Sequence, residues 1–130
     1  MSIGINLICG RSRAGKTTYS KQFEDVIHLD NYGSAPNSYP RVLKKVADAE
    51  GKVVVEGIYD TAGLRTELLK AYRGNGKKVC TWINTPLDII ESRFHPRFKP
   101  RSLPHPFEPP TYSEGWDEII IIGEQYGEPN

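Results

Sequence analysis

Long apolar runs are missing from this 130-residue chain. No stretch approaches the roughly 20 apolar residues that a membrane-spanning helix needs, and the first residues lack the pattern of a secretory leader, so a cytoplasmic protein without a membrane partner is expected. Cysteine is scarce as well. Cys9 and Cys80 are the only two; neither belongs to a CxxC, and no Cys/His cluster has metal-ligand spacing. A disulfide framework and a structural zinc are thereby excluded, and both cysteines, each inside an apolar run, are expected as buried free thiols in a reducing compartment. Strong charge of either sign is also lacking. With a formal net charge of +1, any contact with nucleic acid has to come from basic residues gathered on one face. No internal repeat occurs. Hydrophobic residues at 38% and charged residues at 25% suit an ordinary globular fold, and the length suits one domain over 1–130.

What is present alternates. Ile3 to Cys9 is a short apolar run ending at Gly10, and a helix is expected from Lys16 to Glu24, which makes strand, glycine turn, helix. Val26 to Leu29 reads as a second strand, closed by the turn-rich "DNYGSAPNSYP". After Pro40, the residues Val42, Leu43 and Val46 recur at helical spacing until Gly51. "KVVVEG" is a β-branched run without alternation, as a strand covered on both faces requires. Thr61 to Tyr72 reads as a helix with Leu64, Leu68 and Leu69 inward, "KKVCTWIN" as a fourth strand, and Pro86 to Arg93 as a fourth helix with Thr85 as its N-cap. Phe94 to Pro110 holds six of the ten prolines and several basic residues, and reads as a loop or lid; "EIIII" is a fifth strand. Parallel strands joined through helices need right-handed crossovers, so the expected fold is three-layer α/β: a five-stranded parallel sheet between helices, with a proline-rich lid. Ligands bind such sheets at the carboxyl ends of the strands, where Gly10, Asp30, Glu56 and Asn84 fall.

Gly10-Arg11-Ser12-Arg13-Ala14-Gly15-Lys16-Thr17 matches G-x-x-x-x-G-K-[ST] in full, after a strand and before a helix. The glycines let the backbone curl so that its N–H groups converge on phosphate, and the helix start adds partial positive charge. Lys16 reaches the outer phosphates and Thr17 offers its hydroxyl to Mg²⁺. Thr18 either assists at the α-phosphate or continues the helix. The P-loop NTPase fold follows, with a nucleoside triphosphate as ligand. The N-K-x-D base-reading motif of GTPases is absent, and the chain is too short for the accessory segments of large ATPases, which leaves a small kinase.

Three further groups bear on an acceptor. Asp30, in "IHLDNY", lies across the cleft from the loop, placed to take a hydroxyl proton or, alternatively, to form an Asx turn with Asn31 and Gly33. Glu56 could hold Mg²⁺ through water or orient an acceptor. Arg93 and Arg97 could bring positive charge to a migrating phosphate, or belong to a solvated basic stretch with Lys99 and Arg101. His95 and His105 are expected at the lid surface, and His28 as a packed or hydrogen-bonded histidine.

With these residues laid out, the chain resembles the kinase domain of polynucleotide 5'-kinases. The resemblance runs through "GRSRAGKT", through "LDNY", through "RFHPR", and through "PFEPPTYSEGWDEIIII", where Trp116 stands in place of a usual Phe. It implies an ATP-dependent phosphotransferase with Asp30 as general base, Lys16 and Arg97 on the transferring phosphate, Arg93 in support, and ATP and Mg²⁺ as cofactors. The implied acceptor is a 5'-hydroxyl end of DNA or RNA. Gly33 stands where that family often has an arginine, so a substrate-phosphate contact is missing or supplied by another residue such as Arg41. Kinases of hydroxymethylated bases in viral DNA or of small alcohols share the same core, and a nucleotide-binding module without chemistry is the remaining alternative.

Overall fold

The computed structural model describes residues 2–93 and 106–123. Five strands, β1 (Ile3–Cys9), β2 (Ile27–His28), β3 (Val53–Gly57), β4 (Lys77–Ile83) and β5 (Glu118–Ile122), form one parallel sheet in the order β2-β3-β1-β4-β5. Four helices join them: α1 (Lys16–Ser20), α2 (Ser38–Asp48), α3 (Ala62–Ala71) and α4 (Leu87–Ser92). The expected three-layer α/β fold is what forms.

Strand alternation divides the core between two faces. Ile5, Leu7, Cys9, Val53, Val55 and Cys80 pack with Val42 and Val46 of α2 and Leu68 of α3. Ile8, Val54 and Ile83 point the other way, onto Ala14, Tyr19 of α1 and Ile90 of α4. Both faces are covered, so β3 reads as unbroken valine. The thiols of Cys9 and Cys80 meet at 3.7 Å, free and fully buried.

The helices depart from expectation in ways that local chemistry explains. Helix α1 stops at Ser20, not Glu24: the Ser20 hydroxyl donates back to Thr17 O at 2.8 Å, an interaction that competes with continued helix, and Asp25 adopts a left-handed φ of 54°. Helix α2 begins at Ser38, ahead of Pro40, because a first-turn proline lacks only a donor that would have no partner there anyway. Thr61, expected inside α3, caps it instead, accepting from Leu64 N at 3.2 Å, a bond worth about 1 kcal/mol. Thr85 does not cap α4; Pro86 holds that position. The edge strand β5 is shielded on its outer side where Ile119 N donates to the Tyr112 hydroxyl at 3.3 Å, which removes one unpaired edge donor.

No helix among the described residues is long and apolar enough to cross a membrane.

Candidate functional site

The crossing order places β1 at the centre of the sheet with β3 and β4 beside it, so the loop leaving β1 opens between two neighbouring strand ends. Gly15, just before α1, has φ 108° and ψ 16°, a left-handed conformation that a side chain resists. Ala14 N donates to Arg11 O at 3.1 Å and Gly10 N to Ile58 O at 3.4 Å, which ties the loop to itself and to the segment after β3. From the far side, the buried Thr85 hydroxyl donates to Ala14 O at 2.6 Å. Arg93 Nη1 donates to Arg13 O at 2.9 Å.

Lys16 is 8% exposed and its ammonium donates to Arg11 O at 2.7 Å. Burial lowers its pKa, and the nearby carboxylates of Glu56 and Asp30 act the other way. Burial strips the ammonium of water, which an incoming anion can make good, while the two carboxylates favour its protonated form.

A cleft of about 430 Å³ opens over the loop, within the range of small-ligand pockets. Its lining joins Ser12, Arg13, Gly15, Lys16, Thr17 and Thr18 to Asp30, Glu56, Gly57, Ile58 and Arg93. Most of the residues singled out in the sequence therefore converge on one space. Gly10, Arg11 and Ala14 stay in the loop without lining it. Asn84 is not among the lining residues; its backbone N pairs with Ile122 O. Arg97, with His95, Lys99, Arg101 and His105, lies outside the described residues.

Asp30 is not at the end of a strand, as expected, but one step beyond it: β2 ends at His28 and Asp30 sits exposed in a 3-10 turn over Leu29–Tyr32. Glu56, expected at a strand end, is the penultimate residue of β3, before Gly57, and is 6% exposed. His28, its neighbour in register on β2, holds Glu56 Oε1 through Nδ1 at 2.7 Å. After the turn comes Gly33, with φ 104°. A Cβ there would stand 2.7 Å from Arg41 Nη1, and that same nitrogen donates to Tyr32 O at 2.9 Å. Arg41 thus occupies the space into which a side chain at position 33 would project.

The arrangement offers a cradle for phosphates, a lysine, a hydroxyl beside it and two carboxylates facing them. No protein-family profile matches the chain, and no curated protein matches it. Solved structures do. The crystal structure of an unliganded sugar kinase from Janibacter sp. HTCC2649 is similar with a TM-score of 0.66 at 16% identity, over 93% of this chain and 85% of that one. The protein designated APE1195 is similar with a TM-score of 0.59 at 14% identity, over 92% and 84%. Likeness at such identity establishes the fold alone.

The "FEPPTYSEGW" segment turns out to brace the body. Phe107 is buried and stacked on Trp82, ring centroids 5.7 Å apart and planes 3° apart, so this part of the expected lid over 94–110 packs on the body, while 94–105 lies outside the described residues. The guanidinium carbons of Arg11 and Arg65 each lie 5.9 Å from the Phe107 centroid. Arg65 is fully buried and meets Glu114 twice, Nε to Oε1 at 2.8 Å and Nη2 to Oε2 at 3.0 Å. Its Nη1 donates to Tyr59 O at 2.7 Å. Nothing in the sequence marks Arg65, since an arginine in a helix ordinarily reads as solvated.

Proposed function

We propose that the protein is a kinase that transfers the γ-phosphoryl group of ATP to a hydroxyl, with a nucleic-acid end as the acceptor. The convergence of Lys16, Thr17, Asp30 and Glu56 on one cleft carries this reading. ATP phosphates lie along Gly10 to Thr18, Lys16 meets the outer phosphates, and Asp30 on the opposite wall takes the acceptor proton. Positioning and charge supply most of the rate, and direct transfer to the hydroxyl requires no covalent enzyme intermediate. Arg93 contributes charge beside the loop; the second arginine expected to act on the phosphate, Arg97, lies outside the described residues.

Magnesium fits the donors. The Thr17 hydroxyl and the Glu56 carboxylate are hard oxygen ligands, and among the described residues no group of three His, Cys, Asp or Glu side chains could hold a metal alone. Such an ion completes its shell with phosphate oxygens and water; when bound it offsets charge on the phosphates.

Arg41 supports a polyanionic acceptor. Its guanidinium stands over Gly33, on the same turn as Asp30, where an acceptor's neighbouring phosphate can meet it. The second reading, a small alcohol as acceptor, is favoured by the likeness to a protein named as a sugar kinase. Labelled ATP incubated with 5'-hydroxyl DNA, 5'-hydroxyl RNA, base-hydroxymethylated DNA and small alcohols separates them. Label on the 5' ends, reduced by Arg41→Ala, is expected; label on a small alcohol alone removes the nucleic-acid acceptor, and no label anywhere removes the kinase.

A further inference from the structure

We infer that His28 is a positioning residue for Glu56, fixing which carboxylate oxygen serves the Mg²⁺·nucleotide; this rests on the kinase reading above. The pairing is built by the sheet. His28 and Glu56 are register partners on adjacent parallel strands, at the last position of β2 and the penultimate position of β3, so their side chains leave the same face as neighbours. His28 Nδ1 meets Glu56 Oε1 at 2.7 Å. That bond leaves Oε2 outside the pair, on a side chain that lines the cleft with Lys16 and Thr17.

A carboxylate that is buried and singly anchored has few orientations. Without His28 it would rotate, or turn toward Lys16, whose ammonium is close enough to interact with its charge. Either movement would withdraw it from a water-mediated metal contact. Partners that orient a metal-binding carboxylate are worth about 10- to 100-fold in metal affinity or activity. Asp30 lies two residues beyond His28, so β2 and the turn that follows it supply both the acceptor base and the group that aims Glu56.

The experiment is nucleotide binding by calorimetry, with ATP in Mg²⁺ and in EDTA, for wild type, H28A, H28N and H28Q, and for E56Q with and without H28A. Wild type should gain affinity from Mg²⁺. H28A should lose that gain by about 10-fold or more while binding metal-free ATP as wild type does. Asparagine places its amide nitrogen where Nδ1 stands and should restore the gain; glutamine, with its nitrogen further out, should not. In the E56Q background H28A should change nothing further, as two residues acting through one contact require. An unchanged gain in H28A, equal loss in H28N and H28Q, or additive effects with E56Q would each overturn the role. If H28A does not fold, the contrast between H28N and H28Q decides alone. A wild type that binds no nucleotide in either buffer would instead overturn the kinase reading.

Discussion

Arg65 and Glu114, 49 residues apart, form a two-point ion pair whose side chains are 0% and 5% exposed. Glu114 also accepts from Trp116 Nε1 at 3.0 Å and from Thr111 N at 3.2 Å, so one carboxylate ties α3 to both ends of the "TYSEGW" turn. Burial alone would raise its pKa, but the Arg65 and Trp116 hydrogen bonds and the Arg65 charge hold it below the ordinary 4.5. A depressed carboxylate adds stability that is present above that ordinary value and lost as pH falls through the folded one. Glu114→Gln should therefore be less stable at pH 7, by up to about 3–5 kcal/mol, and should lose less than wild type on acidification below about pH 4.5. Urea melts at neutral and acid pH check both.

Lys16→Ala should weaken ATP binding by about 10- to 100-fold, the equivalent of one charge-assisted hydrogen bond to phosphate. Its melting temperature should change little, since loss of the hydrogen bond to Arg11 O is offset by removal of a desolvated ammonium. Calorimetry beside a thermal scan gives both values, and unchanged affinity would remove Lys16 from the phosphates.

Asp30 is exposed in its turn, so its replacement leaves the core untouched. Asp30→Asn should keep ATP affinity and lower turnover by about 10²- to 10⁴-fold, the range of general-base catalysis. Full turnover in D30N would pass the proton to another acceptor.

Thr85 holds the phosphate loop from behind through Ala14 O. Thr85→Val leaves that buried carbonyl short of a donor, at a cost of about 1–3 kcal/mol, and should loosen nucleotide binding as well. Thr85→Ser restores the hydroxyl and should recover both; equal behaviour of the valine and serine variants would rule out the tie.

Much of this was legible locally. The β-branched runs mark β1, β3, β4 and β5, and the G-x-x-x-x-G-K-[ST] spacing marks the loop, because each depends on neighbours in the chain. What escaped depends on distant partners. Thr85 before a proline has the pattern of a cap, and only the fold brings it to Ala14, 71 residues away. Arg65 takes up buried space because Glu114 arrives there. Asp30 was found by type but misplaced by one element, since β2 gives way to a 3-10 turn that no periodicity announces.

The Trp82–Phe107 stack has a practical consequence. Trp82 lies under a ring that also meets Arg11 of the phosphate loop, and the chain holds only two tryptophans. With Trp116 replaced by phenylalanine, Trp82 becomes the lone tryptophan, excited apart from the seven tyrosines at the red edge of their absorption, and its emission registers what happens at the loop, so nucleotide arrival could be timed in unlabelled protein by stopped flow.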